Sequence, residues 1–371
     1  INTFHLPEFP NPCEMTDENG VTTIDNVRAD SLLATFFRHM EFIIPVKEER
    51  EWFYSWMAFS IQSPEKRCKV TPLLIATYHG TGRGWIVQLM NLLLGSWNCK
   101  KTKMSTLTGE SGAGQFQEFM NDSLLCCIEE VREGEKRYGV EESIRDYLTE
   151  DTLEINIKYG AKQTKPVYTN FFLNSNRVDA LKLTADDRRI NVFRTIDDPK
   201  PNEYYDRLYK WLEPEGKANG EVVGTIDENG NGDAVYDRAG VKVSAGVACL
   251  FHWLNNRDLS DFNGQRSMHN KARQEMIENN QTDIEYHFLE MVKNPPHPVM
   301  TMSEIVDFLA NQSETSERYM KCYSAKGGSQ IQVLMKQHLG RQNKIKLCRG
   351  RNLDGEIDVL EKPRSIRGWS L

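Results

Sequence analysis

Residues 73–84 read LLIATYHGTGRG, and this stretch decides the fold. The apolar run Leu73–Tyr78 is typical of a buried β-strand, and the glycine-rich turn His79–Gly84 leads straight into a helix predicted over Trp85–Leu94. Gly95 then occupies the position of a helix C-cap. A strand, a glycine turn and a helix N-terminus in this order form an anion site, because backbone N–H groups and the helix dipole both favour phosphate.

The turn departs from the standard phosphate loop GxxxxGK[ST]. Aligned over residues 77–84, it keeps the second glycine at Gly82 and has Thr77 in place of the first. Arg83 replaces the lysine and keeps its charge in a bulkier, forked form. Gly84 replaces the residue whose hydroxyl binds Mg²⁺. A tight strand-to-helix turn without a ligand is the structural alternative.

A second glycine-rich stretch, Gly109–Phe116, fits the glycine spacing better but has Gln115 in place of the lysine. No strongly apolar strand precedes it. Only about seven residues separate it from the next predicted strand, which is too few for a crossover helix. We therefore interpret it as a surface loop.

Two further apolar segments predict strands of a parallel α/β sheet. Leu124–Ile128 is followed by Glu129 and Glu130, and Val167–Leu173 leads to Asn176. The carboxyl ends of parallel strands meet at the edge where such sheets bind ligands. We expect Glu129 to hold Mg²⁺ through water and Glu130 to polarise the attacking water, while Asn176 orients a water or contacts the γ-phosphate. Solvated strand ends are the alternative.

Basic and aromatic side chains cluster between the second and third of these strands: Lys158, Tyr159, Lys162 and Lys165. The pattern indicates a hairpin tip that grips a phosphate backbone, with the tyrosine stacking on a base. An exposed hairpin without a ligand is the alternative.

A paired arginine, Arg188 and Arg189, follows two aspartates. Such a pair serves as a finger that reaches a neighbouring subunit's nucleotide, or as part of a salt-bridged surface.

Composition sets the class of protein. The 371 residues are 39% hydrophobic and 27% charged, which is typical of a soluble protein of two or three domains without a membrane span. The eight cysteines form no CxxC pair and have no zinc-like spacing to histidine, so we interpret them as reduced, mostly buried thiols of a cytosolic protein. The net charge is −7, but the chain from Arg318 onward is basic. This distribution favours a polyanion contact at the C-terminal region over one spread across the whole surface.

Four segments are predicted along the chain: a helical region (1–66), an α/β core (67–200), a hairpin insertion with helices (201–294) and a basic, winged-helix-like region (295–371). In the last segment, helices are predicted over Met302–Ala310 and Gln330–Leu339, with Lys344–Leu360 as the wing. Asp227–Gly232 imitates a calcium loop, but Arg238 stands where the bidentate glutamate is required, so we exclude calcium binding.

The order of these motifs resembles the A, B, B′, C and arginine-finger series of superfamily 3 helicases of the AAA+ type. HGTGRGW, SLLCCIEE, FFLNSN and DDRRINVF are more closely similar to the helicase-like C-terminal part of phage primase-polymerases of the deep-sea vent phage type. The motifs cover about residues 71–195.

This resemblance implies an AAA+-like core in which phosphates of ATP or another NTP lie against Gly80, Thr81, Gly82, Arg83 and Gly84. It implies Glu129 and Glu130 as the B pair, Lys158 and Lys162 facing DNA, Asn176 as sensor and Arg188 or Arg189 as finger. It further implies a homo-oligomeric ring, expected to be a hexamer, around single-stranded or forked DNA. The primase-polymerase module is expected upstream, and the location is expected to be the cytoplasm of the phage-infected cell.

Three functional hypotheses remain at this stage. The first is a ring motor with weak NTP hydrolysis, because both the lysine and the Mg²⁺-binding hydroxyl are missing. The second is a non-catalytic platform that oligomerises and binds DNA beside a linked primase-polymerase. The third is a winged-helix DNA-binding protein with an unrelated α/β body.

Overall fold

The computed structural model describes residues 4–104, 118–120, 122–129, 131, 147–155, 162–195, 198–212, 234–236, 242–280, 283–297, 299–311, 334–335, 339, 343–351 and 357–370. The chain divides into two compact units, Ile1–Asn280 and Gln281–Leu371. Within the described residues, no helix is long and apolar enough to cross a bilayer.

The first unit opens with a short antiparallel hairpin, β1 (Glu14–Thr16) and β2 (Thr22–Ile24), followed by the helices α1 (Asn26–Ile43) and α2 (Lys47–Gln62). Asp25 caps α1 by accepting a hydrogen bond from the Arg28 backbone N–H at 3.0 Å. Both helices bury apolar residues at helical spacing, as the sequence pattern in this part of the chain predicted.

The following elements, in chain order, are β3 (Thr71–Ala76), α3 (Arg83–Leu94), β4 (Cys99–Lys103), β5 (Leu125–Glu129), β6 (Thr152–Ile155), β7 (Gln163–Pro166), β8 (Asn170–Ser175), β9 (Ile190–Thr195), α4 (Asn202–Leu212), β10 (Ala234–Tyr236), β11 (Lys242–Ser244), α5 (Ala245–Asn255) and α6 (Lys271–Asn279). Short 3-10 helices lie at Ser96–Asn98 and Glu118–Met120.

Five strands form one parallel sheet in the order β4-β5-β8-β3-β9, which confirms the predicted parallel α/β architecture. Side chains alternate between its two faces, as the two-residue period of a strand requires. Leu74, Cys127 and Phe172 belong to a core shared with α1, α2, α3 and α5. Leu73 and Leu173 belong to a second core on the opposite face.

The first of these cores contains residues from three of the predicted segments, for example Phe36, Phe172 and Leu250. These parts of the chain therefore share one apolar interior and do not each have their own. Several aromatic rings pack within this interior. Trp56 and Trp85 are fully buried, and the Phe53 and Phe172 ring centroids are 5.8 Å apart.

Two strands of the sheet were not predicted. β4 has the sequence CKKTK at the sheet edge and lacks an apolar signal, while β9 was considered only as the end of the arginine motif. β4 does precede Gly109–Phe116, but it is a polar strand and not a strongly apolar one, because an edge strand with one neighbour needs little apolar character. Gly109–Phe116 itself lies outside the described residues.

The predicted helical stretch over 243–292 needs correction. Its first residues belong to β11, which pairs with β10 as an antiparallel hairpin. Helix α5 then begins at Ala245, where Ser244 accepts a hydrogen bond from the Val247 backbone N–H. Most of the glycine- and asparagine-rich insertion at 214–240 lies outside the described residues.

The second unit contains α7 (Asp283–Lys293), β12 (Val299–Met300), α8 (Met302–Asn311), β13 (Asn343–Arg351) and β14 (Ile357–Ser370). α8 and the strand pair were predicted, but β14 extends beyond Leu360, where the expected wing ends, and also pairs with β12. Of the predicted helix at 330–339 only residues 334, 335 and 339 are described. The winged-helix assignment therefore stays a prediction.

Candidate functional site

The centre of the sheet is a point where the chain leaves neighbouring strands toward opposite faces. After β3 the chain enters α3, whose buried residues belong to the first core. After β8 it passes through Ala180, Leu181 and Leu183, which belong to the second core. β3 and β8 are hydrogen-bonded neighbours, so a crevice opens at their carboxyl ends. Open α/β sheets bind their ligands at such a point.

A pocket of about 260 Å³ lies at this crevice. It is lined by the glycine turn, the end of β5, the end of β8 and one residue of α4: Gly80, Thr81, Gly82, Arg83, Gly84, Glu129, Asn174, Ser175, Asn176 and Tyr209. The turn, the carboxylate Glu129 and the amide Asn176 were expected from the sequence to meet at one edge of the sheet. The structure brings all three to the same pocket.

The glycine turn between β3 and α3 has a left-handed backbone at two positions. Gly80 and Gly82 have positive φ angles of 77° and 89°, a region that favours glycine. α3 starts at Arg83, and its first turn closes with a hydrogen bond from the Trp85 N–H to the Gly82 carbonyl at 3.0 Å. The free N–H groups of this helix start and the positive end of its dipole are adjacent to the pocket.

Arg83 joins the turn to the end of β8. Its guanidinium donates hydrogen bonds to the backbone carbonyl of Ser175 and to the side-chain oxygen of Asn176. Burial lowers the pKa of Arg83 from its ordinary value, and the charge of Glu129 acts in the opposite direction. The positive charge is therefore held at the mouth of the crevice, with a carboxylate near it.

Glu129 is the last residue of β5, and its carboxylate forms an ion pair with Lys101 of β4 at 2.6 Å. The Glu129 side chain is 33% exposed and the Lys101 side chain 59%. Glu130, the predicted partner of Glu129, lies outside the described residues. Within the described ranges, no group of three or more His, Cys, Asp or Glu side chains is arranged to hold a metal ion.

Two buried side-chain oxygens beside the pocket have no hydrogen-bond partner among the described residues: Thr81 Oγ1 and Asn174 Oδ1. Their residues are only 2% and 7% exposed. The end of β8 is nevertheless well fixed, because the Val131 N–H donates to the Asn174 carbonyl at 2.9 Å and the Ser175 hydroxyl donates to the Val131 carbonyl at 2.5 Å. Unpaired buried polar atoms are costly, and they are common where a ligand completes a site.

Residues from α1 and α4 support the turn from behind, and the sequence analysis missed them. His39 is fully buried, with Nε2 3.5 Å from the Gly82 carbonyl oxygen and Nδ1 3.0 Å from the Tyr204 hydroxyl. Burial lowers the pKa of His39 to about 4, so the ring is neutral near pH 7. In the sequence, the only signal was a histidine inside the apolar stripe of α1.

The paired arginines lie away from the pocket. Arg188 and Arg189 precede β9 and therefore sit at the amino end of a parallel strand, whereas the pocket lies at the carboxyl ends. Arg188 is exposed, and Arg189 is 3.8 Å from the Asp187 carboxylate. A finger acting on a neighbouring subunit's nucleotide stays a prediction.

The lysine-rich segment is bounded by β6 and β7, which pair antiparallel. Lys158 and Tyr159 lie outside the described residues, and Lys165 is partly buried within β7. Lys162 precedes β7 and forms an exposed ion pair with Glu154 at 2.9 Å.

Fold and pocket together define an α/β protein with a polar crevice at the centre of a parallel sheet. Residues 74–189 match a protein family described as a family of unknown function (DUF5906). This range contains the glycine turn, Glu129, Asn176 and both arginines.

The chain is homologous to the DNA primase-polymerase of Nitratiruptor phage NrS-1, with 26% identity over 155 residues. The match covers 41% of this chain and 21% of that protein, so it spans about a fifth of the relative's length. The fold matches the apo structure of the NrS-1 C-terminal region (305–718) with a TM-score of 0.54 and 15% identity, over 96% of this chain and 82% of the other. An A-form apo structure of the same region gives a TM-score of 0.55 with 14% identity.

Proposed function

We propose that this chain is the helicase-like part of a viral DNA replication protein, and that its central crevice binds the phosphates of an NTP. The observation that carries the proposal is the convergence of Gly80–Gly84, Glu129 and Asn176 on one pocket at the carboxyl edge of the sheet. The similarity to a phage DNA primase-polymerase supports the same role. A linked primase-polymerase module and a DNA partner are parts of this proposal.

The chemistry of the crevice fits phosphate. The N–H groups at the start of α3 point to it, and the Arg83 guanidinium supplies the positive charge that lysine supplies in the standard loop. The unpaired Thr81 hydroxyl gives a further donor, and Asn174 Oδ1 accepts a hydrogen bond from a ligand hydroxyl or water. The arrangement favours a polyphosphate over a neutral ligand.

The same residues are suited to bind Mg²⁺ only when phosphate is bound as well. Mg²⁺ is usually held by one or two carboxylates, by substrate phosphates and by several waters, and Glu129 is the described carboxylate of the pocket. The ion would neutralise the charge on the phosphates. The ion pair of Glu129 with Lys101 competes with metal binding, which is consistent with weak hydrolysis.

A non-catalytic platform is the second candidate, and one observation favours it. Arg83 is engaged by Ser175 and Asn176, and Gly84 has no hydroxyl for a metal ion. In this case the crevice binds nucleotide without turnover, while the chain oligomerises and binds DNA through the lysine-rich hairpin and the basic C-terminal region.

NTP hydrolysis measured with and without single-stranded DNA separates the two candidates. A ring motor hydrolyses NTP faster with DNA, and Glu129→Gln and Glu130→Gln each abolish the activity. The platform binds NTP without turnover. Activity that survives both substitutions comes from another site or a contaminant.

Light scattering tests the assembly. Both candidates require a homo-oligomer, with a hexameric ring as the expected form, and DNA binding that depends on it. A monomer at all protein concentrations would favour a winged-helix DNA-binding protein with an unrelated α/β body.

A further inference from the structure

Tyr209 is the one aromatic residue among those that line the described pocket. The residue is 41% exposed, whereas most large apolar residues described in the first unit are buried. The other lining residues are glycines or carry polar or charged groups suited to phosphate and metal. An exposed ring at the edge of such a pocket needs a separate explanation.

The position of Tyr209 is fixed relative to the glycine turn. α4 is tied to the core by two indole hydrogen bonds, from Trp85 to the Leu208 carbonyl and from Trp211 to the Leu32 carbonyl, each 2.8 Å long. Tyr209 can therefore change rotamer, but its backbone cannot move away from the pocket without breaking these contacts.

Tyr205 links α4 directly to the turn. A β-carbon at Gly82 would lie 3.3 Å from its ring, and its hydroxyl accepts a hydrogen bond from the Lys200 N–H at 3.0 Å. Residues four positions apart share a helix face, so Tyr209 lies one turn beyond Tyr205 on the side that faces the pocket. Phosphate contacts at the turn and an aromatic surface beside it thus belong to one rigid arrangement.

We infer that the crevice binds a complete nucleotide and that the ring of Tyr209 stacks on its base. The inference rests on the proposed NTP site and adds the residue that contacts the base, which distinguishes a nucleotide from an inorganic polyphosphate. Every base has a π-face, and stacking on an aromatic side chain is tolerant of base identity. Adenine, guanine, cytosine and uracil nucleotides are therefore expected to bind with similar affinities.

The test is calorimetric titration of the full 371-residue chain with ADP and, separately, with tripolyphosphate. Tyr209→Ala is expected to weaken ADP binding roughly 5- to 150-fold, the range expected for one lost stacking contact. It leaves tripolyphosphate binding unchanged, because the phosphate contacts remain. Tyr209→Phe keeps the ring and binds ADP like the unaltered chain.

Tyr286→Ala is the matched control, since Tyr286 is 54% exposed and belongs to the second unit. The inference is overturned if Tyr209→Ala binds ADP normally, or if it loses ADP and tripolyphosphate to the same extent. Either result leaves the phosphate site intact as long as the unaltered chain binds tripolyphosphate. If the unaltered chain binds neither ligand, the proposed function fails as well.

Discussion

The imidazole ring of His39 packs directly on the backbone of Gly82. A β-carbon at residue 82 would lie 2.6 Å from the Cε1 atom of His39 and 2.9 Å from its Nε2 atom. A helix of the N-terminal region thus packs directly against the candidate phosphate loop. The loop requires glycine here both for its positive φ angle and for this contact.

Gly82→Ala is expected to destabilise the protein and to weaken nucleotide binding. A left-handed backbone at alanine costs about 1–2 kcal/mol, and displacement of His39 adds to this. Gly84→Ala is the matched control, because Gly84 has no atom within 4 Å of an added β-carbon and lies in the first turn of α3. It is expected to be neutral or to stabilise by up to about 1 kcal/mol. Equal unfolding free energies for the two variants, measured in urea, would contradict the role given to Gly82.

His39 is expected to make stability dependent on pH. Its pKa is lowered from 6.5 to about 4 by burial, so the unfolded chain takes up a proton as the pH falls below 6.5 while the folded chain does not. Stability from this residue is therefore present above pH 6.5 and is lost as the pH falls toward 4.

Between pH 7 and pH 5 the free energy of unfolding should fall by roughly 2 kcal/mol more in the unaltered chain than in His39→Gln. Urea titrations followed by tryptophan fluorescence at the two pH values measure this difference. The same pH dependence in both proteins would show that His39 is not held in a neutral, buried state.

Arg83→Lys alone is expected to leave NTP hydrolysis weak, because Gly84 still lacks a hydroxyl for Mg²⁺. Arg83→Lys combined with Gly84→Thr should raise the rate by about tenfold or more, equivalent to a barrier lower by about 1.4 kcal/mol. A β-carbon added at residue 84 has no other atom within 4 Å. The measurement is phosphate release with Mg²⁺, and the double variant carrying Glu129→Gln is the control. A high rate in Arg83→Lys alone would refute this explanation of the degenerate loop.

Lys162→Ala is expected to weaken single-stranded DNA binding and to reduce the slope of log K against log salt by about 0.7, the contribution of one phosphate contact. Lys66→Ala serves as the control, since the Lys66 and Lys162 side chains are 66% and 63% exposed and each has an acidic partner. Fluorescence anisotropy at several salt concentrations gives both slopes. If the two variants lose affinity for single-stranded DNA equally, Lys162 contributes only to the overall charge of the protein and makes no specific phosphate contact.

Local patterns were sufficient to predict the main elements of the sheet and its glycine turn. Leu73–Tyr78 and Leu124–Ile128 have the continuous apolar character of strands buried on both faces, and α3 has the helical period and a terminal glycine. β4 could not be found in this way, because an edge strand of sequence CKKTK gains its stability from backbone pairing with β5 and hardly from its side chains.

Some residues of the candidate site could likewise be predicted from the sequence, and others could not. Gly80–Arg83, Glu129 and Asn176 were found from the sequence, because parallel strands must place their carboxyl ends at one edge. His39 and Tyr209 were not found, since each is separated from the turn by a long stretch of chain and is brought to it only by the tertiary fold.

The sequence by itself determined the strand, turn and helix around residues 73–94, because backbone preference and apolar period act over a few residues. Only the tertiary structure decided that α1 and α4 close around that turn, that Arg83 bonds to the end of β8, and that the paired arginines lie at the opposite edge of the sheet. The physical reason is that these contacts depend on the order of the strands in the sheet and on which face of the sheet the chain crosses after each strand. Both are set by burial of the two apolar cores as a whole and not by any local segment.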